Sequence, residues 1–157
     1  MKWSRRIFPD VAAREVLAGC ALLALRNKEP AIKRLFWIGL ALSTELFVIV
    51  DGLAGQVIPA VAAMTVNDLT AFAAVRKIFD ISFLLGVATF GAASLLALSI
   101  PGWSRLLRFA VFGLGVLAIA GVVLHFAGMT LPILIGASVG LASILGIIIG
   151  VVELRSA

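Results

Sequence analysis

Residues 81–100 read ISFLLGVATFGAASLLALSI, twenty positions without an acidic residue, a lysine or an arginine. A helix needs about 20 apolar residues to cross the hydrocarbon core of a bilayer. Residues 109–127 and 131–152 are equally free of these charges. Of the 157 residues, 62% are hydrophobic and 13% are charged, whereas roughly 25% are charged in an ordinary soluble domain. The sequence therefore predicts an integral membrane protein.

A fourth apolar stretch lies closer to the N-terminus. Residues 41–56 read ALSTELFVIVDGLAGQ and include two acids, Glu45 and Asp51. We expect a first span that ends before Pro59, because proline removes a helical hydrogen bond. The predicted fold class is all-α, an integral membrane helical bundle in residues 35–157 with four transmembrane helices at 35–58, 81–100, 109–127 and 131–152.

The connections follow from turn residues and prolines. Residues 59–70 are expected to form a loop or a short interfacial helix. The helix of the second span is expected to begin near Leu69 and to stop at Pro101 and Gly102. Residues 128–132 are expected to form a tight hairpin into the fourth span.

Residues 1–34 form a separate basic segment with eight of the thirteen Lys and Arg residues. Asp10 is expected to cap a helix over 11–26. The uninterrupted apolar part, 16–25, is too short to span a bilayer. We therefore predict an N-terminal interfacial amphipathic helix, lying on the membrane or packed on the bundle. The alternative is a fifth span in which Arg14 and Glu15 form an ion pair.

The distribution of positive charge predicts the orientation. With four spans, one side carries the eight basic residues of 1–34 and also Arg105, Arg108 and Arg155, whereas the other side carries only Arg76 and Lys77. Cytoplasmic segments carry the excess of Lys and Arg, so both termini are expected in the cytoplasm of a bacterial inner membrane. The expected partners are the lipid bilayer and a protein partner or a second copy; nucleic acid is not expected.

The residues needed for catalysis or cofactor binding are scarce. Cys20 is the only cysteine and His125 the only histidine, which excludes an internal disulfide and a two-histidine haem site within one chain. Residues 17–20, LAGC, match a bacterial lipoprotein cleavage box, but charges interrupt the apolar stretch that a signal peptide needs. We therefore favour a chance match over lipid attachment, and we predict no cofactor, no metal and no enzymatic activity.

Polar residues inside the predicted spans are the candidate site. A charge near the bilayer centre costs about 2.5–3.5 kcal/mol on insertion scales, so such residues usually face the bundle interior. Asp51, Asp80 and His125 are expected at a similar outer depth, where together with Arg76 they could bind a proton, a cation or a polar substrate. The simpler alternatives are an ion pair between Asp80 and Arg76, a helix-end role for Asp51 and an interfacial His125.

Glu45 is the hardest of these residues to explain. Desolvation raises a carboxyl pKa, so we predict a protonated Glu45 that is hydrogen-bonded to a Ser or Thr of a neighbouring helix. The alternatives are a role in transport or ligand binding, and contact with a partner subunit.

The fourth predicted span carries a set of small residues. These are expected to let helices pack closely, either within the bundle or across a homodimer face. The set comprises Gly136, Gly140, Ser143, Gly146 and Gly150.

Residues 51–61, DGLAGQVIPAV, and 99–107, SIPGWSRLL, resemble a loosely defined group of small bacterial multi-pass membrane proteins. The departures are Gly102, which separates the proline and tryptophan of the second motif, and the basic N-terminal helix. The resemblance implies a helical membrane bundle and no known activity. We expect a non-enzymatic accessory or interaction protein; the alternative is a small transporter or sensor that uses Glu45 and the outer polar residues.

Overall fold

The protein is all-helical. Its structure, a computed structural model, describes residues 4–27, 29–64, 69–129, 144 and 146–151, with the backbone alone for 4–13. The described residues are 91% helix and contain no strand. The predicted all-α class is therefore confirmed. The helices are α1 (Ser4–Arg26), α2 (Ala31–Gly52), α3 (Ile58–Met64), α4 (Leu69–Leu95) and α5 (Arg105–Phe126).

Among the described residues, three helical stretches are long and apolar enough to cross a membrane. They are Ala31–Met64, Leu69–Ser99 and Arg105–Phe126, and they correspond to the first three predicted spans. Most of the fourth, 131–152, lies outside the described residues, as do Gly136, Gly140 and Ser143. Ile144 and residues 146–151 are helical.

The α1 helix begins earlier than the sequence predicts. It starts at Ser4 and runs unbroken to Arg26, so Asp10 lies inside the helix and the predicted cap is wrong. Pro9 is the sixth residue of the helix. It removes one backbone hydrogen bond, but a single missing bond early in a 23-residue helix does not end it.

Helices α1 and α2 form an antiparallel hairpin. The chain leaves α1 through backbone bonds from Asn27 N to Leu23 O (2.8 Å) and from Glu29 N to Ala24 O (3.2 Å), and Pro30 precedes the first turn of α2. The buried face of α1 packs in one core with the buried face of α2, so α1 lies alongside α2. This core includes Leu17, Cys20, Ala21 and Ala24 of α1 and Phe36, Trp37 and Leu40 of α2.

An aromatic cluster closes the bundle at the end where the α1–α2 turn lies. The position of Phe36 and Trp37 at the start of the first apolar stretch predicts that they belong to the aromatic belt at the membrane surface, but each is only 1% exposed. The ring of Trp103 lies edge-on to both, with centroid distances of 5.1 Å to Phe36 and 6.5 Å to Trp37. The belt prediction is wrong because these rings pack against the turn that joins the second and third apolar helices.

The first apolar helix does not end before Pro59. A π-helical segment, Leu53–Val57, follows α2 directly and leads into α3. In an ordinary α-helix the proline ring would clash with the carbonyl four residues earlier, here that of Gly55. The wider π turn moves this carbonyl, so the helix continues through Pro59. Of the two predictions for 59–70, the loop is therefore wrong as far as Met64, where a short helix continues the first apolar helix. Its interfacial position stays a prediction, and residues 65–68 lie outside the described part.

The α4 helix ends where the sequence predicts. It is described from Leu69, tightens into a 3₁₀ turn over Leu96–Ser99, and stops at Pro101 and Gly102. Gly102 has φ +84°, a conformation that glycine adopts readily. Ser104 then caps α5 by accepting a hydrogen bond from the backbone N–H of Leu107 at 3.3 Å.

Small residues bring α4 close to both neighbouring helices. A methyl group built on Gly39 of α2 would lie 2.6 Å from Cβ of Ala93 in α4. A methyl group on Gly115 of α5 would lie 2.7 Å from Cβ of Ser94 and 2.9 Å from the carbonyl oxygen of Gly91. The packing at these points leaves no room for a larger side chain.

We expect Gly115→Ala to destabilise the bundle by about 1–3 kcal/mol, because the new methyl group meets backbone atoms that cannot turn aside. Gly113→Ala is the matched control, since no atom of the described residues lies within 4 Å of its added methyl group. It should leave stability unchanged or raise it by up to about 1 kcal/mol through better helix propensity. Unfolding in mild detergent measures the stability of both variants. Equal changes in stability would contradict the close packing of α4 and α5.

Candidate functional site: a polar pair on the α1–α2 hairpin

Glu45 forms an ion pair with Arg14. The Nε–H of Arg14 donates to Oε1 of Glu45 across 2.6 Å. We predicted that a neighbouring Ser or Thr would bind Glu45, and the fifth-span alternative paired Arg14 with Glu15. Both expectations are wrong, because the hairpin brings an arginine of α1 to the glutamate of α2.

The pairing follows from the geometry of the hairpin. In an antiparallel pair of helices, residues at equal distances from the turn lie side by side. Arg14 and Glu45 are each 15.5 positions from the point between Glu29 and Pro30, since half of 14 plus 45 is 29.5. A short helix–turn–helix could therefore have been tested for such pairs by counting. Our sequence analysis missed it because it did not specify which helix α1 packs against.

The ion pair lies on the outer surface of the bundle. The side chains of Arg14 and Glu45 are 45% and 42% exposed. The residues on the same face of α2, spaced at i, i+3 and i+4 around Glu45, are exposed and apolar: Leu35, Ile38, Leu42 and Ile49. On α1, Leu22 and Leu25 are also exposed. We call the part of this surface around the ion pair, comprising Leu22, Leu42 and Ile49 with Arg14 and Glu45, the hairpin face.

The hydroxyl groups next to Glu45 in the sequence have other partners. Ser43, 2% exposed, donates to the carbonyl oxygen of Gly86 in α4 at 2.8 Å. Thr44 donates to the carbonyl oxygen of Leu40, one turn back in its own helix, at 2.9 Å. Ser43 therefore joins α2 to α4, and Thr44 satisfies its hydroxyl locally.

The other predicted polar residues lie within α4, in the last turn of α2 and in the last turn of α5. Nε of Arg76 donates to Oδ1 of Asp80 at 3.3 Å across one turn of α4, as the simpler alternative expected. Asp51 lies half-buried in the last turn of α2, just before the π segment, and His125 lies in the last turn of α5, edge-on to Phe126. A joint site of Asp51, Asp80 and His125 remains a prediction.

The described end of the fourth predicted span packs on α1. A methyl group on Gly150 would lie 2.7 Å from Cγ1 of Val16 and 3.3 Å from Sγ of Cys20, and Gly146 faces Leu17. The Cys20 thiol points at the carbonyl oxygen of Gly150 across 3.5 Å. Cys20 is thus buried between two helices rather than presented for lipid attachment.

Within the described part of the chain, no group of three or more His, Cys, Asp or Glu side chains could hold a metal ion. The geometry defines an all-helical bundle with three helices long and apolar enough to cross a membrane, and with an ion pair on an otherwise apolar face. No family model, no curated protein and no solved structure matches the chain. The resemblance to small bacterial membrane proteins stays a prediction.

We expect Glu45→Gln to lower the stability of the bundle, because it leaves the Arg14 guanidinium without a counter-charge on an apolar face. The double variant Arg14→Gln, Glu45→Gln should be more stable than Glu45→Gln alone, because it removes both charges. Asp80→Asn, which breaks the exposed pair with Arg76 inside one helix, should change little.

Unfolding temperatures of the four proteins, measured in the same detergent, make this comparison. A Glu45→Gln variant as stable as the wild type would show that the pair contributes nothing to the fold.

Proposed function

We propose that this protein is a multi-pass protein of the bacterial inner membrane that acts as a non-enzymatic accessory subunit. It would bind a transmembrane helix of another protein through the hairpin face. The observation that carries the proposal is the ion pair of Arg14 and Glu45, about half exposed in the middle of an apolar helical surface.

The position of the pair argues for a protein partner. Charged residues in membrane helices almost always face other protein or a water-filled cavity, since exposure to lipid is costly. Arg14 and Glu45 face away from the bundle's own core. A partner helix laid along the hairpin face would cover the pair and also bury the exposed leucine and isoleucine side chains around it.

The chemistry of the face defines the partner helix. It should be apolar along most of its length, to match Leu42 and Ile49. Opposite the pair it should carry a hydrogen-bonding side chain that donates to the other oxygen of the Glu45 carboxylate or accepts from the outer nitrogens of Arg14. Such polar contacts between membrane helices contribute about 0.6–2 kcal/mol each.

The transporter or sensor alternative has less support. A transport site needs a polar passage, whereas the pair lies on the outer surface. One cavity between the described helices lies beside Ser94, is lined otherwise by apolar residues of α2, α4, α5 and 146–151, and has a volume of about 10 Å³. This is room for one water molecule at most.

We further propose that α1 crosses the membrane with the four predicted spans, the alternative that the sequence left open, instead of lying on the surface as an interfacial amphipathic helix. The pair lies about 20 Å along the hairpin from its turn, from 12 residues of α1 and 14 of α2 at 1.5 Å each. That is more than half of a hydrocarbon core of about 30 Å, and α1 continues ten residues beyond Arg14. The N-terminus and the C-terminus then lie on opposite sides, instead of both in the cytoplasm.

The charge count remains compatible with this arrangement. The side of the α1–α2 turn carries seven basic residues (Arg26, Lys28, Lys33, Arg34, Arg105, Arg108 and Arg155), and the other side carries five (Lys2, Arg5, Arg6, Arg76 and Lys77). The positive-inside bias therefore favours the turn in the cytoplasm.

Labelling of single cysteines in intact cells tests the arrangement. In a Cys20→Ser background, we expect Ser4→Cys to react with a membrane-impermeant maleimide added outside. Ser104→Cys, at the start of α5, should react only after the membrane is opened. Labelling of neither position before the membrane is opened would instead support a surface helix on the cytoplasmic side.

Mass spectrometry of the complex drawn gently from its own membrane tests the partner. We expect a second protein in fixed stoichiometry with the wild type, and at least a tenfold smaller share of it with Glu45→Gln. The decisive variant exchanges the charges, Arg14→Glu with Glu45→Arg. It keeps an ion pair within the hairpin but reverses the polarity shown to the partner, so the partner should still be lost.

Asp80→Asn is the control and should retain the partner. Full recovery of the partner with the exchanged pair would mean that the pair serves only the fold of the hairpin. A bare monomer or a homo-oligomer from wild-type membranes would refute the accessory role and favour the transporter or sensor.

A further inference from the structure

A groove lies on the hairpin at its turn end, apart from the ion pair. Leu25 of α1 and Ala31, Arg34, Leu35 and Ile38 of α2 line it, and its volume is about 230 Å³. Four of these five side chains are apolar and the fifth is a cation. A volume below the usual 300–1,000 Å³ of small-molecule pockets suits part of a ligand, such as one hydrocarbon chain.

Arg34 is the cation of this groove. Its side chain is half-buried, and its Nε is shielded from solvent and makes no hydrogen bond with any residue that the structure describes. The nearest acid in the sequence, Glu29, accepts instead from Nζ of Lys33 at 3.4 Å. A buried polar group without a hydrogen bond is costly, and more so when it belongs to a charged side chain. An anion bound at the outer nitrogens of Arg34 would supply the counter-charge that the described residues do not provide.

We propose that this groove binds an anionic phospholipid, with the headgroup phosphate on Arg34 and one acyl chain along Leu25, Leu35 and Ile38. Arginine pairs with phosphate through two parallel hydrogen bonds, which fixes the headgroup as well as attracting it. The exposed Arg26, next to Leu25 in the sequence, adds positive charge at the same turn. Basic pockets on the cytoplasmic side of membrane helices are known to hold anionic headgroups.

The apolar walls of the groove and the positive charge of Arg34 each favour a different part of the ligand. A free phosphate ion satisfies Arg34 but leaves the apolar walls exposed. A zwitterionic lipid fills the groove, but its own positive group reduces the attraction to the guanidinium. Only an anionic lipid satisfies both. The proposal rests on the membrane location proposed above, but not on the partner protein.

The test uses the full chain in nanodiscs with equal amounts of phosphatidylglycerol and phosphatidylcholine, released into the mass spectrometer. We expect one retained phosphatidylglycerol per protein, and at least tenfold less retention with Arg34→Gln. Arg105→Gln, an exposed arginine at the same end of the bundle that does not line the groove, should stay within twofold of the wild type. Ala31→Phe, which fills the groove and keeps the charge, should also lose the lipid.

Other outcomes would overturn the proposal. Equal retention of the two lipids would show that the charge does not select the ligand, and equal losses with Arg34→Gln and Arg105→Gln would show nonspecific attraction. Displacement of the lipid by inorganic phosphate would identify a phosphate site instead. Unfolding temperatures identify any variant that fails to fold. If Arg34→Gln fails in this way, Arg34→Lys is the milder change, and it should retain the lipid in part because the positive charge remains.

Discussion

The close contact of α4 with its two neighbours is the constraint on which the bundle depends. Gly39 allows α2 to reach Ala93 on one side, and Gly115 allows α5 to reach Gly91 on the other. Within a membrane the hydrophobic effect does not drive helices together, so close packing and interhelical hydrogen bonds must do so. The bond from Ser43 to the carbonyl of Gly86 adds such a link at the same interface. Larger side chains along α4 would separate the helices and expose this bond.

Two kinds of polar contact occur in the bundle, one inside its core and one on its outer surface. Ser43 satisfies its hydroxyl inside the core, where no water competes. Arg14 and Glu45 satisfy each other, but they do so on the outside of the hairpin. An ion pair is weak evidence for stability, because desolvation offsets much of the attraction. Its place on an apolar surface is the observation behind the proposed binding of a partner helix, whereas the bond of Ser43 joins two helices of the bundle itself.

Much of the fold could be predicted from the sequence, because composition and length decide which helices can cross a membrane. The end of α4 could be predicted from the turn residues Pro101 and Gly102. Proline was a poorer guide within helices, since Pro9 and Pro59 are both tolerated. The burial of Phe36 and Trp37 could not be predicted, because it depends on contact with Trp103, which is distant in the sequence. The ion pair of Glu45 could not be predicted without knowing that α1 lies beside α2. The absence of a described hydrogen-bond partner for Nε of Arg34 likewise depends on the positions of the neighbouring side chains.

The π segment over Leu53–Val57 also affects how the helix would respond to a change in its length. Each residue turns an α-helix by about 100° and lengthens it by 1.5 Å. The wide turn takes up one additional residue, together with the rotation and the rise that this residue would otherwise add. Loss of one residue there would therefore restore a regular α-helix and leave α3 at nearly the same orientation and height. Pro59 would then lie in a regular turn, where its ring clashes with the carbonyl four residues earlier, so the deletion would bend the helix instead of turning its tip.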